Sequence, residues 1–579
     1  MTEYAAAFLA QLFHIGWVGA IVVTLQTWLI CTCAGYLLKS SGLKRLSWAR
    51  FAPALLILAM YGQYIYCFTV TTSLSLALLF TCLYVRIVRP ADLLPHTNAG
   101  RDCLAHTGVF LLLSVVLYTI AAGAFLLFAM LCATYELLFR RRMYALLYVP
   151  AAFAIAYAEG VLVFGASIMD SFFALTPFSW DTLLYRTRAR GLAMVSAFYL
   201  LIPAILLIAG FWRILTHKWL SGMSPRRAEN NEKSRGVITS LAYKISACHS
   251  RPKLKLVAQP LILLAIAIAG AALSIDHERR TLFQVDYYAC HRMWPQVLKA
   301  AKQHAYDDLV AHAVNRALYH TGQLGYDMFS WPQHPDILML TGDQHSMSYW
   351  KRYDTRLDLG LLNLAQKDLV ECMEVFGVRP IILKRLALIN MAKNDTGSAR
   401  IYLGALSKTL FDARWAESYI KLLEKDPNLS TDNRIQSLRS VMLKSDDPTL
   451  FSGREKLLST LLAQNSKNHM AFEYTNALYL QTKQLDKFVQ NLKILNQFTY
   501  KEIPRLYEEA ILIHMTRTKE LIELAGHKGS RESYERMQRF GQVVNCYGGD
   551  KKAAFKELTT DFGDSYFFFY LYGFSGAHK

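Results

Sequence analysis

Carboxylates and guanidinium groups that could do chemistry occur together in the segment 170–190, DSFFALTPFSWDTLLYRTRAR. Asp170 and Asp181 offer oxygen atoms to a metal ion or a catalytic proton, and Arg188 could hold a pyrophosphate. These are the groups that a lipid-linked transferase would need beside a membrane. However, the two aspartates are eleven residues apart, which matches no defined motif. Arginines beside an apolar run are equally explained as interfacial residues.

A second set of imidazoles and carboxylates lies between residues 325 and 356, where the helical pattern weakens. His334, Asp336, Asp343 and His345 could together bind a metal ion or act as acid and base. Their spacing fits no metal-ligand signature, so no metal or cofactor is expected. The favoured interpretation is a long loop that covers the groove of a helical domain, since loops run over the surface of a scaffold.

One acidic residue, Glu159, lies deep inside an apolar run, AIAYAEGVLVF. An ionisable group in lipid is costly and is therefore a hypothesis of function, here a transport or proton-relay site. The alternative is a single carboxyl group that is hydrogen-bonded to a neighbouring helix. The polar residues in other apolar runs, Gln26 and Gln63, are uncharged. Glu136 is close to the RRR triplet at 140–142 and is predicted to be interfacial.

The remaining residues offer no catalytic signature. There is no Ser/His/Asp order, no phosphate-binding loop and no dinucleotide fingerprint in the sequence. The ten cysteines are scattered without zinc-ligand spacing. We expect them to be small buried apolar residues, although one disulfide among Cys290, Cys372 and Cys546 is left open. An enzyme is therefore the less favoured class.

The composition is that of a membrane protein with a second domain. Hydrophobic residues make up 53% of the 579 residues and charged residues only 18%. Residues 1–275 hold 23 Lys+Arg against 9 Asp+Glu, whereas residues 276–579 hold 40 against 35. The basic excess lies in short loops between apolar runs, where membrane orientation explains it better than nucleic acid does. We expect no nucleic-acid partner.

The first 275 residues contain apolar runs that can cross a bilayer, which takes about 20 residues in a helix. The run at 104–139 is ambiguous, because it is either one very long helix or two short helices that turn near AAGA at 121–124. The runs are 15–38, 51–68, 71–85, 104–139, 143–169, 191–212 and 255–275.

The basic loops decide between these two interpretations. The basic segments are 39–50, 86–101, 140–142 and 213–256. Positive loops stay in the cytoplasm, and all four segments fall on one side only if 104–139 is two helices. The sequence therefore predicts about eight spans with both termini outside, and seven spans is the alternative.

Residues 276–579 show an amphipathic helical pattern with breaks at small and polar residues. Helical hairpins are predicted with breaks near Gly322, at 393–398 and at 482–486. Like elements are in places about 34 residues apart, the tetratricopeptide period, but the consensus residues are mostly absent. The predicted fold class is all-α, with a polytopic transmembrane bundle at 1–275 and a tetratricopeptide-like solenoid at 276–579.

The chain also resembles a known group of proteins. The stretches YYACHRMWPQVLKAAKQ (287–303), NRALYHTGQLGYDMF (315–329) and DFGDSYFFFYLYGFSG (561–576) carry the resemblance. It is similar to an uncharacterised family of Bacteroidota inner-membrane proteins with a polytopic N-terminal half and a tetratricopeptide-like C-terminal domain. The resemblance implies an inner-membrane location with that domain in the periplasm. It transfers no functional residues.

Three classes of function remain open. The favoured hypothesis is a membrane-anchored scaffold or assembly protein of the cell envelope, whose periplasmic solenoid binds a protein partner while the other half sits in the lipid bilayer. The first alternative is an envelope polysaccharide enzyme, a lipid-linked glycosyltransferase or ligase that would use Asp170, Asp181 and Arg188. The second alternative is a transporter, for which Glu159 is the main candidate residue.

Overall fold

A computed structural model describes residues 1–65, 67–91, 99–179, 189–221, 252–302, 307–340, 346–445, 453–520, 522 and 529–576. The ordered elements in these ranges are all helices, and no strand occurs among them. The all-α prediction is therefore confirmed. The chain divides into two compact units, Met1–Asp276 and His277–Lys579, which are called here the N-terminal and the C-terminal unit.

The N-terminal unit is built from long apolar helices. Tyr135–Phe139 and Ala156–Val163 are π-helical and continue α6 and α7. The α-helices are α1 (Thr2–Gln11), α2 (Gly16–Ser40), α3 (Ala52–Gly62), α4 (Phe68–Ala91), α5 (Ala99–Ala121), α6 (Phe125–Thr134), α7 (Tyr148–Ile155), α8 (Ile168–Phe173), α9 (Ala189–Ser221) and α10 (Pro252–Ser274).

Several of these stretches can cross a bilayer. By length and composition, five helical stretches of the described chain qualify, or six if the pair Pro260–Ser274 and His277–Cys290 is counted as one span. The five are Gly16–Ser40, Phe68–Val88, Cys103–Phe139, Met143–Val163 and Gly191–Ile214. Apolar helices of this length are explained by burial in lipid. Lipid offers no hydrogen-bond partners, and a helix satisfies its backbone hydrogen bonds internally. The protein is therefore a membrane protein.

The longest of these stretches, Cys103–Phe139, folds back on itself. The rings of Phe110 and Phe128 stack with their centroids 5.8 Å apart. In one straight helix these residues would be about 27 Å apart along the axis. The reversal falls at Ala122–Ala124, where Ala122 has a φ of 42°. The contact agrees with the two-helix interpretation of 104–139, even though length alone counts the stretch as a single helix.

Several contacts in the N-terminal unit join segments that are distant in sequence. Thr2 Oγ1 donates to Ile120 O (2.7 Å), Ser73 Oγ to Leu175 O (2.8 Å) and Asp276 N to Gly62 O (3.0 Å). Arg142 bonds to the His106 ring at 3.1 Å, and the Arg213 guanidinium lies beside Gly42. Each of these two arginines thus contacts a segment that the eight-span prediction puts on the same side as its own loop.

Helix α6 is at the centre of this bundle. All residues from Leu131 to Glu136 are buried, as are Phe125 and Phe128. The ring of Phe110 stacks on that of Tyr148 with centroids 4.0 Å apart. Large aromatic rings that interdigitate in this way supply much of the packing energy of a core. The short α6 is therefore held by its neighbours on all sides.

The C-terminal unit is a series of shorter amphipathic helices. They are α11 (His277–Cys290), α12 (Trp294–Ala301), α13 (Asp308–His320), α14 (Leu324–Asp327), α15 (Pro335–Leu338), α16 (Ser346–Asp358), α17 (Leu362–Phe376), α18 (Pro380–Ala392), α19 (Thr396–Leu406), α20 (Ala413–Lys425), α21 (Asn433–Val441), α22 (Arg454–Gln464), α23 (His469–Gln481), α24 (Leu485–Leu492), α25 (Arg505–Thr518), α26 (Arg531–Cys546), α27 (Lys551–Phe562) and α28 (Tyr566–Tyr572).

The helical hairpins of this unit turn where the sequence predicts breaks. Gly322, Asn394 and Lys483 have φ values of 70°, 61° and 57°. A left-handed residue after the last helical turn lets the final carbonyl groups find hydrogen-bond donors, which ends the helix. Across these turns the small residues Ala317, Ala387 and Ala477 are buried at 0%, 0% and 3% exposure. Small side chains there let neighbouring helices pack closely.

One prediction for this unit is wrong in part. The segment 325–356 was predicted as a long loop, but its second half forms helix α16. The hydrophobic pattern fails there because α16 buries charged groups. Arg352 is 9% exposed and Asp354 is 4% exposed. The carboxylate of Asp368 on α17 lies 2.8 Å from the Arg352 guanidinium, so ion pairs replace apolar contacts on this face.

Candidate functional site

The first predicted set of site residues is described only in part. Asp170 is exposed near the start of α8, where its backbone N–H donates to Ser167 Oγ at 3.1 Å. The Ser167 hydroxyl in turn donates to Asp170 Oδ2 at 2.7 Å. This is a helix-capping arrangement, which gives both residues a local structural role. Asp181 and Arg188 lie outside the described residues.

The second predicted set is also local in its contacts. His334 Nδ1 accepts a hydrogen bond from the backbone N–H of Asp336 at 3.3 Å, at the start of α15. The Asp336 carboxylate is bonded to Arg454. Asp343 and His345 lie outside the described residues. Among the residues that the structure describes, no group of three or more His, Cys, Asp or Glu side chains is arranged to hold a metal ion.

Glu159 lies in the π-helical segment Ala156–Val163. Both carboxylate oxygens are buried, and neither has a hydrogen-bond partner among the described residues. Gln26 is engaged elsewhere, since its side-chain amide donates to Thr72 Oγ1 at 3.0 Å. The adjacent Gly160 leaves room for Tyr118, whose hydroxyl would be 2.1 Å from a Cβ at that position. π-Helical turns often occur at functional sites, so Glu159 remains a candidate.

A polar cluster around Glu136 was not predicted. Glu136, which is predicted to be interfacial, has a side chain that is fully buried among its neighbours at 0% exposure. Arg142 Nη1 lies 3.1 Å from Glu136 Oε2, and the Tyr84 hydroxyl lies 3.3 Å from Glu136 Oε1. The Tyr84 hydroxyl is also 3.0 Å from that of Tyr148. Glu136 thereby links α4 to the connection between α6 and α7, 52 residues away from Tyr84 in the sequence.

The histidine of α5 extends this cluster. His106 Nδ1 lies 2.8 Å from the Tyr144 hydroxyl and 3.1 Å from Arg142 Nη1. A buried carboxylate is tolerated when a cation and hydrogen bonds surround it, and removal of one partner is then strongly destabilising. The cluster occupies one end of the N-terminal bundle and pairs its charges internally. Its arrangement is that of a structural clamp between α4, α5, α6 and the segment before α7.

The C-terminal unit contains a buried ion network. Arg316 on α13 lies 3.1 Å from Asp354 and 2.6 Å from Asp358, both on α16. Its guanidinium carbon lies 5.3 Å from the ring centre of Trp294. Burial alone would raise the pKa of Asp358, but the charge of Arg316 and the hydrogen bond from His320 hold that pKa well below its ordinary value. The network fixes α16 against α13.

His312 also joins α13 to its neighbours. Its Nδ1 lies 2.8 Å from the carbonyl oxygen of Ile337, and its Nε2 lies 2.7 Å from Thr355 Oγ1. A carbonyl oxygen can only accept, so Nδ1 carries the proton and Nε2 accepts from the threonine hydroxyl. Burial lowers the pKa of His312 to about 4. The imidazole is therefore a neutral structural group.

A carboxylate near aromatic rings is one of two acidic groups of the C-terminal unit whose pKa burial raises to about 7, the other being Glu509. Glu473 on α23 accepts a hydrogen bond from the Tyr500 hydroxyl at 2.7 Å through Oε1, while Oε2 is buried with no described partner. His469 Nε2 lies 3.0 Å from the same hydroxyl, and its side chain is 42% exposed. Burial raises the pKa of Glu473 to about 7, against the opposing effect of the Tyr500 hydrogen bond.

Exposed apolar residues form a further feature of the C-terminal unit. Val370 on α17 and Ile401 on α19 are 42% and 72% exposed. Val378 precedes α18 by two residues and is 68% exposed, whereas Leu410 and Phe411 precede α20 and are 47% and 38% exposed. Val370 and Ile401 thus lie in the second helices of successive hairpins, and the other three residues lie in the connections that follow those helices. These five residues are called here the 370–411 surface.

Comparisons with known proteins give a family and nothing closer. No curated protein and no solved structure matches the chain. One family model matches the chain, and all the clusters described above lie within the residues that it matches. The chain belongs to the family of unknown function DUF6057, whose sequence pattern matches residues 1–573.

Proposed function

We propose that the protein is a membrane-anchored scaffold whose C-terminal unit binds another protein through the 370–411 surface. In this proposal the C-terminal unit is a degenerate tetratricopeptide-like solenoid. Its hairpins α16–α17 and α18–α19 are successive repeats. The N-terminal unit holds the solenoid at the membrane. The observation that supports the proposal is that exposed apolar side chains occur in the second helix, and in the connection after it, of both hairpins.

That recurrence favours a docking surface over chance exposure. Single exposed apolar residues are normal on any protein, but contiguous apolar patches mark interaction sites. Val370 and Ile401 lie in the second helix of successive hairpins, 31 residues apart. Val378 and Phe411 lie in the connections that follow those helices, 33 residues apart. Because stacked repeats bring their second helices next to one another, this proposal expects these side chains to lie along one side of the solenoid.

Photo-crosslinking in native membranes tests this function. We would place p-benzoylphenylalanine at Ile401, and at Tyr534 on α26 as a control that is 54% exposed. The expected result is one discrete protein adduct at position 401 and none at position 534. Val378→Glu should lower the yield at 401 at least fivefold, whereas Tyr534→Glu should leave it unchanged. The same adducts at both positions, or no protein adduct at 401, would contradict the scaffold proposal.

We further propose eight crossings of the inner membrane, with both termini and the C-terminal unit in the periplasm. The fold-back at Ala122–Ala124 supplies the crossing that a single 104–139 helix would lack. The proposal is supported by the grouping of Arg142 and Arg213 with predicted cytoplasmic loops, since positive residues are retained in the cytoplasm. The segment from α6 to Phe139 is short, at about 22 Å, and it is shielded from lipid by its neighbours.

Transport is the second candidate, because the Glu159 carboxylate has no hydrogen-bond partner among the described residues. A carboxyl group that is held in an apolar segment without a partner can take up and release a proton. Glu159→Gln keeps the size of the side chain and removes the charge. If that variant supports normal growth and normal transmembrane proton uptake, the transport candidate loses its site.

A further inference from the structure

Helix α11 has two different faces. Thr281, Val285 and Ala289 recur every four residues and are buried at 3%, 1% and 3% exposure, within the C-terminal unit. On another face of the helix, Phe283 is 38% exposed and Tyr287 is 56% exposed. Helix α11 therefore has one face buried in the C-terminal unit and another face that exposes aromatic rings.

Charged and polar residues complete the exposed face. Arg280, Gln284 and His291 are exposed and lie three, four or seven residues from the aromatic pair, which places them on the same side. The Tyr287 ring packs against that of His291 with centroids 4.2 Å apart. From Arg280 to His291 this face extends about 16 Å along the helix. The exposed rings are therefore distributed along the helix and are not confined to its first turn.

The position of α11 in the chain says what covers this face. It begins at His277, three residues after α10 ends at Ser274. The last part of α10 is apolar and exposed on the protein itself, with Ile268 at 61% and Leu273 at 88%. Such residues face lipid in a membrane-spanning helix. Only Ile275 and Asp276 separate the two helices, so the chain between their ends can span at most about 11 Å.

We propose that the exposed face of α11 lies on the lipid headgroups, as an interfacial helix that continues the lipid contact of α10. Tyrosine and phenylalanine favour this zone because their rings are apolar while the zone is partly wet. Arg280 supplies a cation for lipid phosphate groups. The opposite face packs into the C-terminal unit, so α11 holds that unit at the membrane surface. This inference does not depend on the side of the membrane or on the scaffold function.

Lipid crosslinking of the purified full-length protein in phosphatidylethanolamine/phosphatidylglycerol nanodiscs tests the inference. p-Benzoylphenylalanine would replace Phe283, Tyr287, Ile268 or Tyr534 in separate samples, and phospholipid adducts would be measured by mass spectrometry. Ile268 is the positive control in α10, and Tyr534 is the exposed control on α26. We expect yields at 283 and 287 within about threefold of that at 268 and at least tenfold above that at 534.

Two outcomes would overturn the inference. Yields at 283 and 287 that equal the yield at 534 would show that the face meets water rather than lipid. A yield at 283 alone would show that α11 rises away from the membrane and touches it only near its start. The substituted side chains are exposed, so the core contacts of Val285 and Ala289 are left intact and all four variants should elute as folded protein.

Discussion

At the scale of single residues, buried carboxylates are of two kinds, those paired with an arginine and those without one. Asp358 lies 2.6 Å from Arg316, and Glu136 lies 3.1 Å from Arg142. Glu473 accepts a hydrogen bond from the Tyr500 hydroxyl on one oxygen, which also lies 3.5 Å from His469 Nε2, and its second oxygen is buried. Burial lowers the pKa of His469, so this imidazole supplies little positive charge near neutral pH. A carboxylate without a countercharge is better tolerated when protonated. Pairing with Arg316 therefore keeps Asp358 ionised, while burial makes Glu473 a group that titrates near neutral pH.

Glu473 makes the stability of the protein pH-dependent. Its pKa is raised from 4.5 to about 7 by burial, so the folded protein binds this proton more tightly than the unfolded chain. The stabilisation is fully present below about pH 4.5 and is lost as the pH rises through 7. The loss amounts to about 3 kcal/mol by pH 8. Glu473→Gln should remove this loss, because the amide stays neutral at both ends of the range.

The measurement is thermal unfolding of the full-length protein in nanodiscs at pH 5 and pH 8. Wild type should lose more stability between these values than Glu473→Gln does. The exposed Glu417 on α20 provides the matched control, since Glu417→Gln removes one carboxylate without changing a buried group. An equal pH-dependent loss in wild type and Glu473→Gln would show that Glu473 is ionised in the folded state across this range.

Arg316 is expected to be far more important for stability than a surface arginine. Its side chain is 5% exposed, and Arg316→Leu would leave Asp354 and Asp358 buried without their shared cation. Breaking a buried ion pair on one side costs about 3–5 kcal/mol. Arg531→Ala is the control, because its pair with Glu535 on α26 is exposed. Surface pairs of this kind contribute little.

Urea or thermal unfolding of both arginine variants checks the contrast. Arg316→Leu should unfold at a clearly lower midpoint than wild type, while Arg531→Ala should match it. Comparable midpoints for the two variants would mean that Arg292 and Arg385, which also approach the aspartates at 3.6 and 4.0 Å, compensate for the missing charge.

At the scale of elements, the turn between α5 and α6 is held by backbone contact. A Cβ on Gly123 would lie 2.4 Å from the carbonyl oxygen of Phe172 and 2.8 Å from that of Ala174. Neither atom belongs to a flexible side chain, so Gly123→Ala should force the turn and the segment after α8 apart. Overpacking of this kind costs about 1–3 kcal/mol.

Gly108 in α5 offers a matched control for Gly123. Nothing lies within 4 Å of a Cβ at Gly108, so Gly108→Ala makes the same chemical change in open space. Thermal unfolding in detergent should show a lower melting temperature for Gly123→Ala and an unchanged or higher one for Gly108→Ala, because alanine favours a helix. A melting temperature for Gly123→Ala that equals wild type would contradict the close packing of this turn.

Most elements could be predicted from the sequence because their patterns are local. The turns at Gly322 and Asn394 follow from residues that tolerate a positive φ, at the ends of periodic apolar runs. Helix α16 was missed because Arg352 and Asp354 are buried there in ion pairs, which erases the apolar period. Hydrophobic periodicity detects buried apolar residues. It does not detect buried charged residues whose ion-pair partners lie on another helix.

The polar clusters were harder to predict than the helices. Glu136 is only a few residues from the RRR triplet, and sequence distance suggested an interface with water. Its burial depends on the fold-back of α5 and α6 and on Tyr84 of α4, which is 52 residues away. Glu159 was identified because its surroundings in the sequence are apolar over a long stretch. A single sequence can predict a site whose surroundings are adjacent in the chain. It cannot predict a site that forms only when distant segments come together.

At the scale of the whole molecule, the family match covers residues 1–573 and therefore includes both units. The basic excess sits in the N-terminal unit, whereas the C-terminal unit is nearly balanced. The positive loops that should orient the spans therefore all lie in the N-terminal unit. Eight spans would put both termini on one side and seven would separate them, but in either case one crossing after the basic loop 213–256 would put the C-terminal unit on the side opposite to that loop.

Native cysteines can locate the C-terminal unit relative to the basic loop without engineered tags. Cys546 is exposed in the C-terminal unit, whereas Cys372 is buried. Cys248 lies in the basic segment 213–256, which is outside the described residues and is predicted to be cytoplasmic from its charge. A membrane-impermeant maleimide on intact spheroplasts should label Cys546 at once, and Cys546→Ser should abolish that label. Cys248 should react only after lysis. Labelling of Cys248 but not of Cys546 before lysis would invert the proposed topology, and it would place the 370–411 surface among cytoplasmic partners.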